Sequence, residues 1–256
     1  LRPPKAVLVA LGRLFNSFLW DKSREDKRTH WASWERLCFP TEEGGVGVRS
    51  LEDMVKAFSH KLWWRLRQRG SLWSDFMYSK YIGDQHPLQA AVTRPTGTWK
   101  RLLGIREVAE AQISWSLGPG MVYFWLDTWC ELGPLIAVVP EERDRPHVLV
   151  AEFLDRDGWN RGRLLHWLPA NLVDLIVDIP FDLEGQDHIL WATSATGQFT
   201  LTSAWELCRQ RRTILPLAQW VWNKGTPLKI SIFAWRLLNN FLPLDSVMRR
   251  RGLLVV

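Results

Sequence analysis

The stretch "SLEDMVKAFSHKLWWRLRQRG", residues 50–70, is the clearest helix signal in the chain, and it indicates the fold class. Ser50 is a preferred N-cap residue, and Asp53 follows three positions later, as in a capping box. Apolar residues then recur at helical spacing. The predicted buried stripe consists of Leu51, Met54, Val55, Phe58, Leu62 and Leu66. We therefore expect a helix that packs through one face.

Residues 227–241, "PLKISIFAWRLLNNF", predict another helix, because Pro227 suits a first helical turn. Its predicted buried face consists of Ile230, Phe233, Ala234, Leu237, Leu238 and Phe241. Shorter helices are expected within residues 3–20, 71–82, 98–111 and 168–179.

In two segments the apolar residues alternate with the two-residue period of β-strands. Residues 113–124 alternate around Gly118–Pro119–Gly120, which predicts an antiparallel hairpin, and residues 187–200 predict a second one that turns at Gly197. The segment "DRDGWN", residues 155–160, lacks the later ligands of a calcium loop, so it is interpreted as a turn. The sequence thus predicts a mainly α protein with small antiparallel β-hairpins (α+β), elongated and with more than one subdomain.

Charge alternates along the chain. Residues 1–110 carry 19 Lys and Arg against 12 Asp and Glu, residues 111–200 carry 5 against 13, and residues 201–256 carry 9 against 2. This pattern favours two regions that face a polyanion. The alternative, equally weighted, is that the acidic segment packs against its basic neighbours.

Cysteine usage and hydropathy exclude several classes of protein. The three cysteines Cys38, Cys130 and Cys208 contain no Cys-x-x-Cys pair, which argues against a disulfide framework or a zinc knuckle. No secretory signal and no apolar run near the ~20 residues of a membrane span are present. The chain begins with Leu1, so we expect it to be a piece of a longer polypeptide.

Basic residues at helical spacing are the candidate binding site. Lys61, Arg65 and Arg69 follow one another at intervals of four, on a face opposite Leu62 and Leu66. The full candidate set for nucleic-acid binding is Lys61, Arg65, Arg69, Lys100, Arg101, Arg249, Arg250 and Arg251. The alternative interpretation is an ordinary solvated surface. The 17 tryptophans suit cores and base stacking alike and do not decide between them.

Three blocks of the sequence resemble a known family. They are "THWASWERLCFPTEEGGVGVRSLEDMVKAFSHKLWWRL", "ISWSLGPGMVYFWLDTW" and "WVWNKGTPLKISIFAWRLLNNFLPLDSVMRRRG". The family is the C-terminal region of plant LINE-type (non-LTR) retrotransposon reverse transcriptases, running into the reverse transcriptase zinc-binding domain. The resemblance covers nearly the whole chain. It implies a basic helical, thumb- or connection-like region at 1–110 and an acidic middle with a Trp-rich hairpin and a linker at 111–189. Residues 190–256 would then be the N-terminal part of the zinc-binding domain.

The same resemblance implies what the chain lacks. The family's polymerase aspartates lie upstream in a Tyr-x-Asp-Asp motif, and this chain has no Asp-Asp pair. The family's zinc ligands follow the Arg-Arg-Arg-Gly block, where this chain has Leu-Leu-Val-Val, so it is expected to be truncated before the Cys/His cluster. We expect no polymerase activity, no catalytic residue, no metal site and no cofactor.

The favoured hypothesis is a non-catalytic fragment of a retrotransposon polyprotein that contributes RNA or DNA template binding and scaffolding. Its partners would be the template and the rest of the polyprotein, with no membrane and no small-molecule substrate, inside the cell in the nucleus or cytoplasm. The alternative is a structural relic with no selected activity. An enzyme is disfavoured, because His30 near Glu35, or Asp155 with Asp157, forms no recognisable catalytic arrangement.

Overall fold

Helix is the main secondary structure of this chain. The computed structural model describes residues 3–23, 25–26, 28–90, 94–139, 147–244 and 248–249. Within them, helices are joined by short antiparallel strand pairs, which confirms the predicted mainly α fold with small β elements. No helix of the described segments combines the length and the apolar character needed to cross a membrane.

The helices follow one another with few strands between them. They are α1 (Lys5–Trp20), α2 (Trp34–Leu37), α3 (Leu51–Gln68), α4 (Leu72–Met77), α5 (Gly97–Leu103), α6 (Arg106–Glu110), α7 (Leu135–Val138), α8 (Arg161–Trp167), α9 (Ala170–Ile176), α10 (Leu201–Cys208), α11 (Ala218–Val221) and α12 (Leu228–Leu238). A π-helical turn, Tyr78–Ile82, continues α4, and 3₁₀ turns occur at Thr41–Glu43 and Val150–Phe153.

The strands are β1 (Ile113–Ser116), β2 (Leu154–Asp155), β3 (Gly158–Trp159) and β4 (His188–Trp191). β1 pairs antiparallel with β4, with Ile113 opposite Trp191. β2 and β3 form a tight hairpin around residues 156–157, which confirms that "DRDGWN" is a turn.

The predicted hairpin at 113–124 is wrong in its pairing, because β1 pairs with β4 instead. The cause is Asp187, immediately before β4. Its carboxylate accepts backbone N–H groups of Gly118 at 2.7 Å, Gly120 at 3.0 Å and Met121 at 2.7 Å. The Gly-Pro-Gly loop therefore wraps around a side chain, and this brings the more distant strand beside β1.

The second predicted hairpin forms only in part. β4 is present, and the Trp191 N–H donates to the Gly197 carbonyl at 2.7 Å, so the turn at Gly197 exists. Residues 198–200, however, form no strand. The chain turns directly into α10, where Thr200 Oγ1 accepts the Ser203 N–H at 3.0 Å as a helix N-cap does.

The chain divides into two compact units. The terminal unit comprises Leu1–Lys56 and Cys208–Val256, and the central unit comprises Ala57–Leu207. The assignment of 1–110, 111–189 and 190–256 to parts of a parent polyprotein stays a prediction. Within the middle region, where a linker is predicted, residues 140–146 lie outside the described residues, while Leu135 and Val150 are buried in the central unit's core.

The central unit has a large aromatic core. Trp63, Trp99, Phe124 and Trp191 are fully buried, and Phe124 stacks on Phe153 with ring centroids 4.1 Å apart. The core of the terminal unit is smaller. Its buried residues are Ala32, Leu37, Trp235 and Phe241.

The N-cap of α3 is confirmed, since Ser50 Oγ accepts the Asp53 N–H at 3.4 Å. The predicted buried stripe is partly wrong. Phe58 is 43% exposed, whereas Trp63, Trp64 and Leu66 are buried. The physical reason is that the two adjacent tryptophans are larger than Phe58, and burying them rotates the packed face of the helix.

Candidate nucleic-acid interface

The last three turns of α3 carry an exposed basic face. No Asp or Glu occurs between residues 57 and 74, so the carboxylates of α3, Glu52 and Asp53, lie in its first turn and away from these cations. Lys61 is partly exposed and Arg65 is exposed. Phe58 stands three residues before Lys61 and seven before Arg65, which places its ring on the same face.

The third predicted cation, Arg69, ends the helix. It adopts a left-handed backbone conformation with φ 57°, and its guanidinium lies 3.7 Å from the centre of the Tyr78 ring. Lys61, Arg65 and Arg69 form no ion pair with any residue that the structure describes. Their positive charge is therefore not neutralised within this part of the protein.

The remaining predicted residues belong to other segments of the chain. Lys100 is exposed on α5, but Arg101 turns inward, where its Nε donates to Ser59 Oγ at 2.6 Å. Ser59 is buried, and its position is offset from Arg65 by about 120° around the helix axis. Arg101 thus connects α5 to the packed side of α3. Arg249 is exposed in the terminal unit, and Arg250 and Arg251 lie outside the described residues.

Sequence reasoning missed a buried ionic cluster in the central unit. Arg67, on the packed face of α3, contacts the carboxylates of Glu110 and Asp127, and its Nε lies 2.9 Å from Glu110 Oε1. His86 Nε2 lies 3.1 Å from Asp127 Oδ1, and Trp63 Nε1 donates to Glu110 at 2.6 Å. All five side chains are buried. The available signal was the position of Arg67, which is four residues after Trp63 and so shares its face.

Burial and charge act on this cluster in opposite directions. Burial raises the pKa of Glu110, and the attraction of Arg67 offsets this only in part. Burial would also raise the pKa of Asp127, but Arg67 and the hydrogen bond from His86 outweigh it and hold that pKa below its usual value. The two carboxylates therefore have pKa values that are pushed apart.

His86, Glu110 and Asp127 are close enough together to share a metal ion. The chemistry of the donors argues against one. Arg67 already supplies a cation to both carboxylates. The Leu88 N–H donates to His86 Nδ1 at 3.1 Å, so the proton of the neutral ring is on Nε2, which faces Asp127. We interpret the cluster as a structural ion-pair network.

The cysteines are neutral and largely enclosed. Cys38 and Cys208 line the same cavity of about 490 Å³ in the terminal unit. Burial raises the pKa of Cys38 to about 12 and that of Cys208 to about 11. Burial also raises the pKa of Cys130. Because the thiolate is the reactive form, these groups have the character of structural thiols.

Comparisons with known proteins place the chain among retroelement sequences. Residues 199–255 match the family described as zinc-binding in reverse transcriptase. The chain is also 28% identical, over 265 residues, to a protein of Arabidopsis thaliana that is named as a ribonuclease H protein. That alignment covers 98% of this chain but 43% of the relative, so the chain spans less than half of that protein's length. No solved structure matches the chain.

These findings confirm the resemblance that the sequence blocks carried, namely to a plant retrotransposon reverse transcriptase region that runs into the zinc-binding segment. The chain is thus similar to retroelement proteins, and its residues 199–255 match the family described as zinc-binding in reverse transcriptase.

Proposed function

We propose that this chain is a non-catalytic part of a reverse transcriptase polyprotein, and that it binds the RNA or DNA template and acts as a scaffold. The observation that carries the proposal is the exposed face of α3, where Phe58, Lys61 and Arg65 stand together without a neighbouring carboxylate.

The chemistry of this face suits a polyanion. Each Lys or Arg that neutralises a phosphate releases a counterion, so affinity falls steeply with salt. The exposed Phe58 ring adds an apolar plate beside the two cations, and such rings stack on unpaired bases. A solvated surface of ordinary function needs neither the missing carboxylates nor the exposed ring.

The non-catalytic part of the proposal rests on the arrangement of acidic groups. Nucleases and polymerases of the two-metal type hold their ions about 4 Å apart between carboxylates. Among the described residues, the one group of His, Cys, Asp and Glu side chains close enough to share a metal ion is His86, Glu110 and Asp127. That group is buried, and both of its carboxylates are already paired with Arg67. We therefore do not transfer the nuclease activity in the relative's name to this chain.

The test is the variant Lys61→Gln with Arg65→Gln, measured by fluorescence anisotropy on labelled single-stranded RNA and DNA across a salt series. We expect weaker binding, and a slope of log affinity against log salt that is smaller by about 1.4, or about 0.7 for each lost phosphate contact. The free energy of unfolding should change by less than about 0.5 kcal/mol, because both side chains lie on the outer face.

The matched control is Arg161→Gln, which removes an exposed arginine that is already paired with Asp174. It should leave both affinity and slope unchanged. Wild-type protein that shows no salt-dependent binding to either nucleic acid would overturn the proposal and favour a structural relic.

A further inference from the structure

The π-helical turn Tyr78–Ile82 is an unusual feature of the central unit. The Gly83 N–H donates to the Tyr78 carbonyl at 2.8 Å, which is the i to i+5 bond of a π-helix. Such turns are rare and are concentrated at functional sites. This one continues α4 directly, so it sets the directions of Lys80 and Tyr81 relative to the side chains of that helix.

One exposed stripe of α4 and the π-turn carries apolar and aromatic side chains, with Asp75 exposed beside it. Leu72 is 91% exposed, and Phe76, one turn later, is 57% exposed. Lys80 follows at the next helical position, and its Nζ lies 5.3 Å from the ring centres of both Phe76 and Tyr81. The ammonium group is thus held between two aromatic rings by cation–π attraction.

Tyr81 is fixed by its own contacts. Its ring stacks on Trp99 at 4.9 Å and is nearly parallel to it. Its hydroxyl donates to Thr96 Oγ1 at 3.0 Å and accepts the Thr96 N–H at 3.4 Å. Because Trp99 is fully buried, this stack anchors the surface to the core. The exposed pair Phe76 and Lys80 therefore stands on a rigid support and loses little conformational entropy on binding.

One nucleotide can contact an exposed ring and a neighbouring cation at the same time. The base stacks on the ring, and its phosphate contacts the ammonium group. A base pair inside a duplex has both faces covered by its neighbours, so only an unpaired base can use the ring. Lys100, exposed next to Trp99 in sequence, is a further cation on α5.

We propose that Phe76 and Lys80 form a stacking platform that gives this chain a preference for single-stranded RNA or DNA over duplex. The inference rests on the proposed function and deepens it, since it names the form of nucleic acid that is bound and assigns residues that lie outside the basic face of α3.

The experiment uses the full chain with four variants and three probes, namely oligouridine, oligothymidine and a blunt DNA duplex of the same length. Phe76→Ala should weaken binding to both single strands by about five-fold to a hundred-fold, the range for loss of one stacked base, and should change duplex binding by less than about two-fold. Lys80→Gln should lower the salt slope on single strands by about 0.7.

Two further variants separate stacking from general disturbance of the surface. Phe76→Tyr keeps an aromatic ring and should retain wild-type affinity. Leu72→Ala removes an exposed apolar side chain from the same face and should also retain it. Loss on oligouridine alone would support the platform as an RNA site, and loss on oligothymidine alone would support it as a DNA site.

The outcomes distinguish the two proposals. If wild-type protein binds none of the three probes, both fail together. If wild-type protein binds, and Phe76→Ala lowers the affinity for single strands and duplex equally or not at all, the platform is overturned. The proposed function would not be affected by that result, because the double variant Lys61→Gln with Arg65→Gln tests it separately.

Discussion

The central unit and the terminal unit handle their large apolar side chains differently. In the central unit Trp63, Trp99 and Trp191 are fully buried. In the terminal unit Phe18 is 88% exposed and Trp220 is 69% exposed. The central unit buries most of its tryptophans, whereas Trp235 is the one buried tryptophan among the described residues of the terminal unit.

The helices of the terminal unit show the same contrast. Among their own residues, α1 buries only Gly12, and α12 buries only Ser231 and Trp235. The predicted face of α12 is therefore largely wrong, since four of its six members are exposed: Ile230, Phe233, Leu237 and Leu238. Phe241, just beyond the helix, is buried as predicted. Apolar periodicity identifies side chains that are suited to burial, but it does not tell whether anything in the same chain covers them.

The two units also differ in how ion pairs support them. In the central unit the ionic cluster around Arg67 lies inside the aromatic core. In the terminal unit Arg209 forms a two-pronged pair with Glu43, at 2.6 and 2.7 Å, beside a much smaller core. We therefore expect the loss of an ion pair to lower the free energy of unfolding more in the central unit than in the terminal unit.

The largest effect is expected from Arg67→Leu. It leaves the Glu110 and Asp127 carboxylates buried without their cation, which typically costs about 3–5 kcal/mol of the free energy of unfolding. Urea unfolding followed by tryptophan fluorescence would measure it. The control is Arg65→Leu, two residues earlier on the outer face of the same helix, which should cost less than about 0.5 kcal/mol. Equal costs for the two variants would contradict the assignment of faces on α3.

A smaller effect is expected from Glu43→Gln in the terminal unit. The Glu43 carboxylate accepts hydrogen bonds from both terminal nitrogens of Arg209 and from the Arg212 N–H, the last at 2.9 Å. The Arg209 hydrogen bonds lower the pKa of this carboxyl group. Replacing the carboxylate weakens these charge-assisted bonds, for a loss of about 2 kcal/mol. Hydrogen exchange should rise at residues 209–215.

The control for that variant is Glu42→Gln, because the Glu42 side chain accepts only the exposed Thr41 hydroxyl among the contacts of described residues. It should leave the exchange of residues 209–215 unchanged. A larger loss for Glu43→Gln than for Arg67→Leu would reverse the comparison between the units.

Local signals in the sequence predicted much of the fold. The features that the sequence did not predict depend on long-range contacts. Ser50, the helical period of α3 and the turn at "DRDG" act within a few residues, so they could be read directly. The partner of β1 depends on Asp187, and the packed face of α3 depends on Glu110 and Asp127. No local pattern encodes such distant partners.

The candidate site likewise contains some features that the sequence predicts and others that depend on distant contacts. Exposure of Arg65 follows from helical geometry and was predictable. The inward turn of Arg101 depends on Ser59, which lies on another helix. The platform of Phe76 and Lys80 depends on a π-helical turn, which has no recognised sequence signature in this segment.

The smallest effect, and the sharpest test of the central unit's cluster, is the pH dependence of stability. The pKa of Asp127 is lowered on folding, so its contribution is present above its unfolded pKa of about 3.9 and is lost as pH falls through the folded value. The pKa of Glu110 is raised on folding by burial. Its contribution is present below its unfolded pKa of about 4.3 and is lost as pH rises through the folded value.

Stability attributable to the cluster should therefore be highest near pH 4 and should decline above it, by at most about 1.4 kcal/mol per pH unit while native Glu110 holds its extra proton. Glu110→Gln mimics the protonated acid and can still accept the Trp63 N–H, so this decline should disappear from thermal unfolding measured across pH. Glu107→Gln, an exposed change one turn earlier in α6, should keep it. A decline that persists unchanged in Glu110→Gln would show that another group causes it, and that burial does not raise the pKa of Glu110.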